Sequence, residues 1–239
     1  MSGPLAGRRA LVTGGTRGIG LAIAERLREA EATVLVTGTR PAAEGLDGLE
    51  YRGVDFADGP ALEAFAEEAR AWAPDVLVNN AGINTLSPFA EIAPEDFDRI
   101  QAVNVRAPML LCRGVVQGMR ERGWGRIVNI ASIWSVVSRP GRGSYSASKF
   151  ALDGLTAALA AEVAADGVLA NCVSPGFVDT ELTRNVLGDE GIARLVAEVP
   201  AGRLARPEEI AALVAWLAGP ENTFVSAQNI VIDGGFSRS

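Results

Sequence analysis

Tyr145 and Lys149 stand four residues apart at the end of the stretch Ser132 to Lys149, SIWSVVSRPGRGSYSASK. On a helix that spacing puts both on one face. A phenol is a poor acid or base at neutral pH, its ordinary pKa being about 10. A cation held beside it favours the phenolate and brings that value toward the working range. Ser132, just past the apolar run of residues 126–131, adds a hydroxyl that can donate to a substrate oxygen. Serine, tyrosine and lysine together make a proton-transfer set. Taken alone, the Tyr-x-x-x-Lys spacing more often marks two surface residues. Scarcity sharpens it: the chain has two tyrosines, and Lys149 is its only lysine, every other basic residue being arginine. A compact ammonium tunes its pKa with its surroundings, which a guanidinium does not.

Such a set needs a frame and something to react with. An apolar run, Ala10-Leu11-Val12, leads into Gly14-Gly15-Thr16-Arg17-Gly18-Ile19-Gly20. A helical pattern follows, with Ile19, Ala22, Ile23 and Leu27 inward and Glu25, Arg26, Arg28 and Glu29 outward. Between strand and helix, glycines allow a tight turn and let the backbone approach a pyrophosphate at the positive end of the helix. The spacing is G-x-x-x-G-x-G, and a ligand-free turn is the plainer alternative. The second strand, residues 33–37, ends in Gly38-Thr39-Arg40. A binder of NAD carries Asp or Glu near this place, about 20 residues past the glycines. Here Gly38, Thr39 and Arg40, with Arg17, suit a 2′-phosphate instead, so NADP is favoured. A solvated Arg40 leaves NAD open.

The alternation continues. A strand at residues 51–54 precedes Asp55-Phe56, placed to touch adenine, and an amphipathic helix covers 61–72. A strand at 76–78 ends in Asn79-Asn80-Ala81-Gly82, and residues 94–119 read as one long helix carrying Asn104. The strand at 126–131 delivers Ser132; another, at 168–174, ends in Pro175-Gly176. Residues 177–205 are mixed and charged, the natural lid; a helix from Arg206 and a strand at 228–232 close the chain. The expectation is one α/β domain over 1–239, a doubly wound parallel sheet of about seven strands with helices on both faces.

Composition excludes several classes. A net charge of −7 argues against nucleic acid as partner. No apolar run reaches the roughly 18 residues of a membrane span, and no charged-then-apolar leader opens the chain. Cys112 and Cys172 lack paired spacing and read as reduced thiols of a cytoplasmic protein. The absence of histidine removes Ser-His-Asp and Cys-His hydrolysis and most zinc sites, and no metal is expected.

Together these pieces resemble the short-chain dehydrogenase/reductase family in its single-domain form, from Leu5 to Gly235. The glycine loop Thr13 to Gly20, Asn79-Asn-Ala-Gly82, Asn104, Ser132, Tyr145-x-x-x-Lys149 and Pro175-Gly176 match its motifs in order, with Ser132 thirteen residues before Tyr145. The resemblance implies Tyr145 as general acid for ketone reduction and general base for alcohol oxidation. It implies that Lys149 lowers its pKa and holds the nicotinamide ribose, that Ser132 orients the carbonyl, and that Asn104 anchors a relay water. It assigns Gly14, Thr16, Arg17, Gly18, Ile19 and Gly20 to the pyrophosphate. Asp55 and Phe56 go to adenine, Asn80, Ala81 and Gly82 to the adjoining ribose, and Pro175, Gly176, Val178 and Thr180 to the nicotinamide. Asn79 reads as structural, and a homotetramer is implied.

For the substrate, a small-molecule ketone or alcohol, the wall is expected from Ile83, Asn84, Ile133, Trp134, Arg139, Arg142 and Phe177 with the lid. Trp134 narrows the cavity or stacks on a ring, and Arg142 meets a carboxylate or phosphate unless it faces water. The chain is similar to 3-oxoacyl-[acyl-carrier-protein] reductases, the alternative. Against them stand bulky Trp134 and the acidic Asp166 beside Glu162, where an acidic carrier would dock. A catalytically silent dinucleotide-binding or sensing protein is the alternative from another class.

Overall fold

The computed structural model describes residues 2–239, apart from the side chains at 182 and 185–187. Among the described residues, seven strands form one parallel sheet in the order β3-β2-β1-β4-β5-β6-β7. They are β1 (Arg9–Val12), β2 (Thr33–Gly38), β3 (Glu50–Gly53), β4 (Val76–Asn79), β5 (Gly125–Ile130), β6 (Val168–Pro175) and β7 (Asn229–Ile232). The central strands bury every residue on both faces, which is why they read as continuous apolar runs rather than alternating ones.

Around the sheet lie α1 (Gly18–Glu29), α2 (Gly59–Trp72), α3 (Pro94–Gln101), α4 (Ala107–Glu121), α5 (Gly143–Val163), α6 (Glu181–Glu198) and α7 (Pro207–Ala218). One apolar layer joins α1 and α7 to the sheet through Ile23, Leu27, Val214 and Leu217; the other joins α2 and α4 through Leu62, Phe65, Leu111 and Met119. The direction of strand order reverses between β1 and β4, so the carboxyl ends of these strands open a crevice where a ligand can lie.

The long helix expected at 94–119 is not one α-helix. A π-helical turn, Ala102–Arg106, separates α3 from α4. The inserted residue swings Asn104 inward, and single π turns of this kind recur at functional sites.

Candidate active site

Each part of the site hangs on the end of a strand. The β1 exit, the glycine loop and the β4 exit are tied by Thr13, whose hydroxyl accepts from the backbone N–H groups of Asn80 and Ala81 at 2.9 and 3.0 Å. The Asn80 amide donates to the Thr13 and Gly14 carbonyls, both at 3.0 Å. The side chain expected to line a ribose therefore binds the loop itself, because two carbonyls at the β1 exit would otherwise lack donors. Gly14 and Gly18 take positive φ, 64° and 54°. A Cβ on Gly14 would lie 3.0 Å from the Ala81 Cα, so the turn closes only with glycine. The first turn of α1 has no side-chain cap, leaving its N–H groups and positive dipole end free.

At the β2 end, Thr39 and Arg40 are exposed, as is Arg17, and neither arginine forms an ion pair among the described residues. A Cβ on Gly38 would begin 2.9 Å from Thr16 Cγ2 and 3.1 Å from the Tyr51 hydroxyl. A carboxylate side chain at that position would have to displace the Thr16 methyl. The residues present fit a dinucleotide bearing a 2′-phosphate. Asp55 is exposed, its carboxylate accepting from the Ala57 N–H at 2.9 Å. The Phe56 ring, by contrast, is buried against Phe65 and offers adenine only its backbone. Val178 is likewise a core side chain, available through its main chain alone. Pro175 ends β6, Gly176 follows, and Thr180 caps α6 by accepting from the Thr183 N–H while its methyl faces Gly18. Ile19 and Thr16 are half-buried on the loop, and Gly20 packs under it.

Ser132 leaves β5, and Tyr145 and Lys149 enter on α5, which begins two residues earlier than the tyrosine. The Lys149 amine lies 5.5 Å from the Tyr145 ring centroid and donates to the Ile130 carbonyl at 2.8 Å. A Cβ on Gly82 would stand 3.6 Å from that amine and 3.4 Å from Asn104 Oδ1, so the motif after β4 faces both across the cleft. Burial brings the Lys149 ammonium down to about 8. Burial also raises the phenol of Tyr145, against a hydrogen bond donated by Ser132 and the positive charge of Arg142. Arg142 is thus a second cation facing the phenol, beside Lys149.

The supports of Ser132 had no signal in the sequence. The Ser135 hydroxyl donates to the Ser132 carbonyl at 2.7 Å and accepts from Asn229 Nδ2 at 2.9 Å, while Ser174 meets both side chains. Asn79 is structural, as expected: buried, it donates to Asn129 Oδ1 at 2.7 Å and toward Cys112. Both thiols are free, and burial pushes each up to about 12.

Of the expected substrate wall, Asn84 is exposed and Phe177 half-buried, but Ile133 is 1% exposed and belongs to the core rather than the cleft. Trp134 is buried edge-on against Phe177 and Phe236, so it narrows the space and has no free face for ring stacking. Phe236, from the C-terminal tail, was missed. Among the described residues no cluster of ligands suits a metal, and no helix is long and apolar enough to cross a membrane.

A family model described as enoyl-(acyl carrier protein) reductase, of the short-chain alcohol dehydrogenase type, matches residues 14–237. A 3-oxoacyl-[acyl-carrier-protein] reductase of Vibrio cholerae is 37% identical over 241 residues, covering 97% of this chain and 98% of that one. A crystal structure assigned as an NAD(P)-dependent gluconate 5-dehydrogenase of Beutenbergia cavernae, with NADP bound at low occupancy, superposes with a TM-score of 0.93. It is 39% identical and covers 99% of this chain and 100% of that one. A gluconate 5-dehydrogenase of Burkholderia cenocepacia J2315, in complex with NADP and tartrate, gives 0.91 at 34% identity, covering 98% and 97%. The chain belongs to the short-chain dehydrogenase/reductase family of NAD(P)-dependent oxidoreductases.

Proposed function

We propose that the chain interconverts a ketone and a secondary alcohol on a small free molecule, cyclic or polyol-like, with NADP as preferred cofactor. The observation that carries this is the meeting of Ser132, Tyr145, Lys149 and Asn104 at the strand ends beside an uncapped glycine loop. The relatives with NADP bound and named for gluconate, a polyol acid, support it.

When bound, the nicotinamide donates or accepts hydride at the carbon that changes between carbonyl and alcohol. Gly14, Thr16, Arg17, Gly18, Ile19 and Gly20 hold the pyrophosphate, and Thr39 and Arg40 the 2′-phosphate. Asp55 and the Phe56 backbone meet adenine. Ala81, Gly82, Tyr145 and Lys149 line the ribose side, and Pro175, Gly176, the Val178 main chain and Thr180 the nicotinamide end. Ser132 donates to the substrate oxygen. Tyr145 gives that oxygen its proton during reduction and takes it back during oxidation. Burial keeps the phenol protonated near neutral pH, the form reduction requires. Lys149, near 8, stands where an amine exchanges protons readily, and Asn104 holds the far side of the route. Residues 177–205 form the lid; its neck is pinned where the Ala205 N–H donates to the Phe177 carbonyl and the Asp179 N–H to the Ala205 carbonyl.

An acyl-carrier reductase is the second reading, favoured by the Vibrio cholerae relative and by one contact. Asp166 pairs with Arg120 at 2.6 Å, so its charge opposes an acidic carrier less than the sequence suggested. Buried Trp134 still favours a compact substrate. Partly exposed Phe97, Met109, Phe150 and Leu155 on α3, α4 and α5 support self-association, which we read as a homotetramer. The two reduced thiols support a cytoplasmic setting.

The test is NADPH consumption over a carbonyl panel with Tyr145→Phe as control. We expect turnover to fall by about 10² or more while NADPH binding persists. Unchanged turnover removes the mechanism, and a wild-type protein that binds NADP without turnover leaves the silent sensor.

A further inference from the structure

Two guanidinium groups lie over one indole. Arg142 Cζ is 5.1 Å and Arg139 Cζ 5.9 Å from the Trp134 ring centroid. Their surroundings differ. Arg139 also covers Phe236, at 4.8 Å, and pairs with Glu198, so its charge is balanced where it stands. Arg142 has neither an ion pair nor a side-chain hydrogen bond among the described residues, and the groups whose charge reaches it are Tyr145 and the like-charged Arg139. It is nevertheless half-buried. A partly desolvated cation with five unused donors costs the free protein stability, and an anion entering the cleft would relieve that cost.

Arg142 is the N-cap residue of α5, three residues before Tyr145, and its charge is felt by the tyrosine phenol. Its indole support lies two residues past Ser132. The cation therefore borders the cleft where the substrate oxygen is handled. We propose that Arg142, braced on Trp134, anchors a carboxylate of the substrate, so that the molecule reacting at Tyr145 is a small oxo- or hydroxy-carboxylate. This rests on the oxidoreductase reading above.

Charge and shape favour a carboxylate over a phosphate. One unpaired guanidinium balances a single negative charge, whereas a phosphomonoester carries about −1.5 to −2 at neutral pH. The second guanidinium on these walls, Arg139, is already balanced by Glu198, and Trp134, Phe177 and Phe236 themselves carry no charge. A planar carboxylate also matches the guanidinium fork with two parallel hydrogen bonds.

The test measures binding to the protein saturated with NADP, by calorimetry, for hydroxycarboxylates from lactate to the hexonates. Each is paired with its neutral amide and with a phosphate ester of similar size. For at least one pair we expect the acid to bind about tenfold or more tighter than the amide, and tighter than the phosphate ester. Arg142→Gln should bring the acid-to-amide ratio to about one, and Arg142→Lys should restore part of it, keeping the charge without the fork. Acids that nowhere outbind their amides, or a ratio that survives R142Q, would overturn the proposal. A phosphate ester that outbinds every acid would overturn the carboxylate assignment. Because the readout is binding, absent turnover would count against the oxidoreductase reading while this ratio still decides the anchor.

Discussion

The Asn104 side chain clasps Ile83 by both of its backbone groups: Oδ1 accepts from the N–H and Nδ2 donates to the C=O, each at 2.9 Å. The same Nδ2 reaches Ser148 at 3.0 Å, whose hydroxyl returns to the Tyr145 carbonyl at 2.7 Å. One amide thus joins the segment after β4, the π-helical turn and the helix carrying Tyr145. Asn104→Ala leaves both Ile83 groups without partners and should cost about 2–3 kcal/mol, read as a shift in the urea midpoint. Ser148→Ala removes one bond to Asn104 and should cost about 1 kcal/mol. Equal costs for the two would mean the clasp on Ile83 contributes nothing.

The strand ends and their motifs were legible because apolar runs bounded by glycine leave few alternatives. The π-helical turn was not: one inserted residue leaves the apolar pattern on either side looking continuous. Phe56, Val178 and Ile133 follow strand ends in the chain, but their side chains turn into the core. Phe236 and Asn229 reach the site through the last strand, and no local pattern announces a contact across 94 residues of chain. Nor does spacing report burial, which is what sets the protonation of Tyr145 and Lys149.

Cofactor choice separates two substitutions at adjoining positions. Arg40→Asp places a negative charge where a 2′-phosphate would lie. It should weaken NADPH by about tenfold to a hundredfold with little effect on NADH. Gly38→Asp, the residue type of an NAD binder, should not produce an NADH-preferring protein. Its side chain would begin 2.9 Å from Thr16 Cγ2, and the loop must shift to admit it. Fluorescence titration of both dinucleotides decides: tight NADH binding by G38D would show that the crowding at Thr16 is easily relieved.

Stability should peak on the alkaline side of neutrality. Lys149 falls from 10.5 to about 8, so between these values the unfolded chain holds more protons and stability rises with pH. Both cysteines move the other way, from 9.0 to about 12. Above about pH 9 the unfolded thiols ionise first, and two such groups outweigh one lysine. Denaturant midpoints should climb from about pH 8 to 9 and then fall. Lys149→Met should abolish the climb, and a Cys112→Ala, Cys172→Ala double variant should soften the fall. A climb that persists in the methionine variant would assign it to another group.

The aromatic cluster gives the last test, because its rings stand away from the glycine loop. Phe236 packs at 5.0 Å on Phe177 and 6.3 Å on Trp134, with the Arg139 guanidinium over its ring. None of the glycine-loop residues joins this cluster. Phe236→Ala should therefore cost about 3 kcal/mol of stability and loosen the setting of Trp134, raising the substrate KM. Affinity for NADP, whose adenine and phosphate groups are proposed to lie at the β1 and β2 ends, should change by less than about twofold. Ketones too bulky for the wild type should gain relative to compact ones, since the wall behind Trp134 has been thinned. A variant that loses NADP affinity instead would place the tail of the chain on the cofactor side of the cleft.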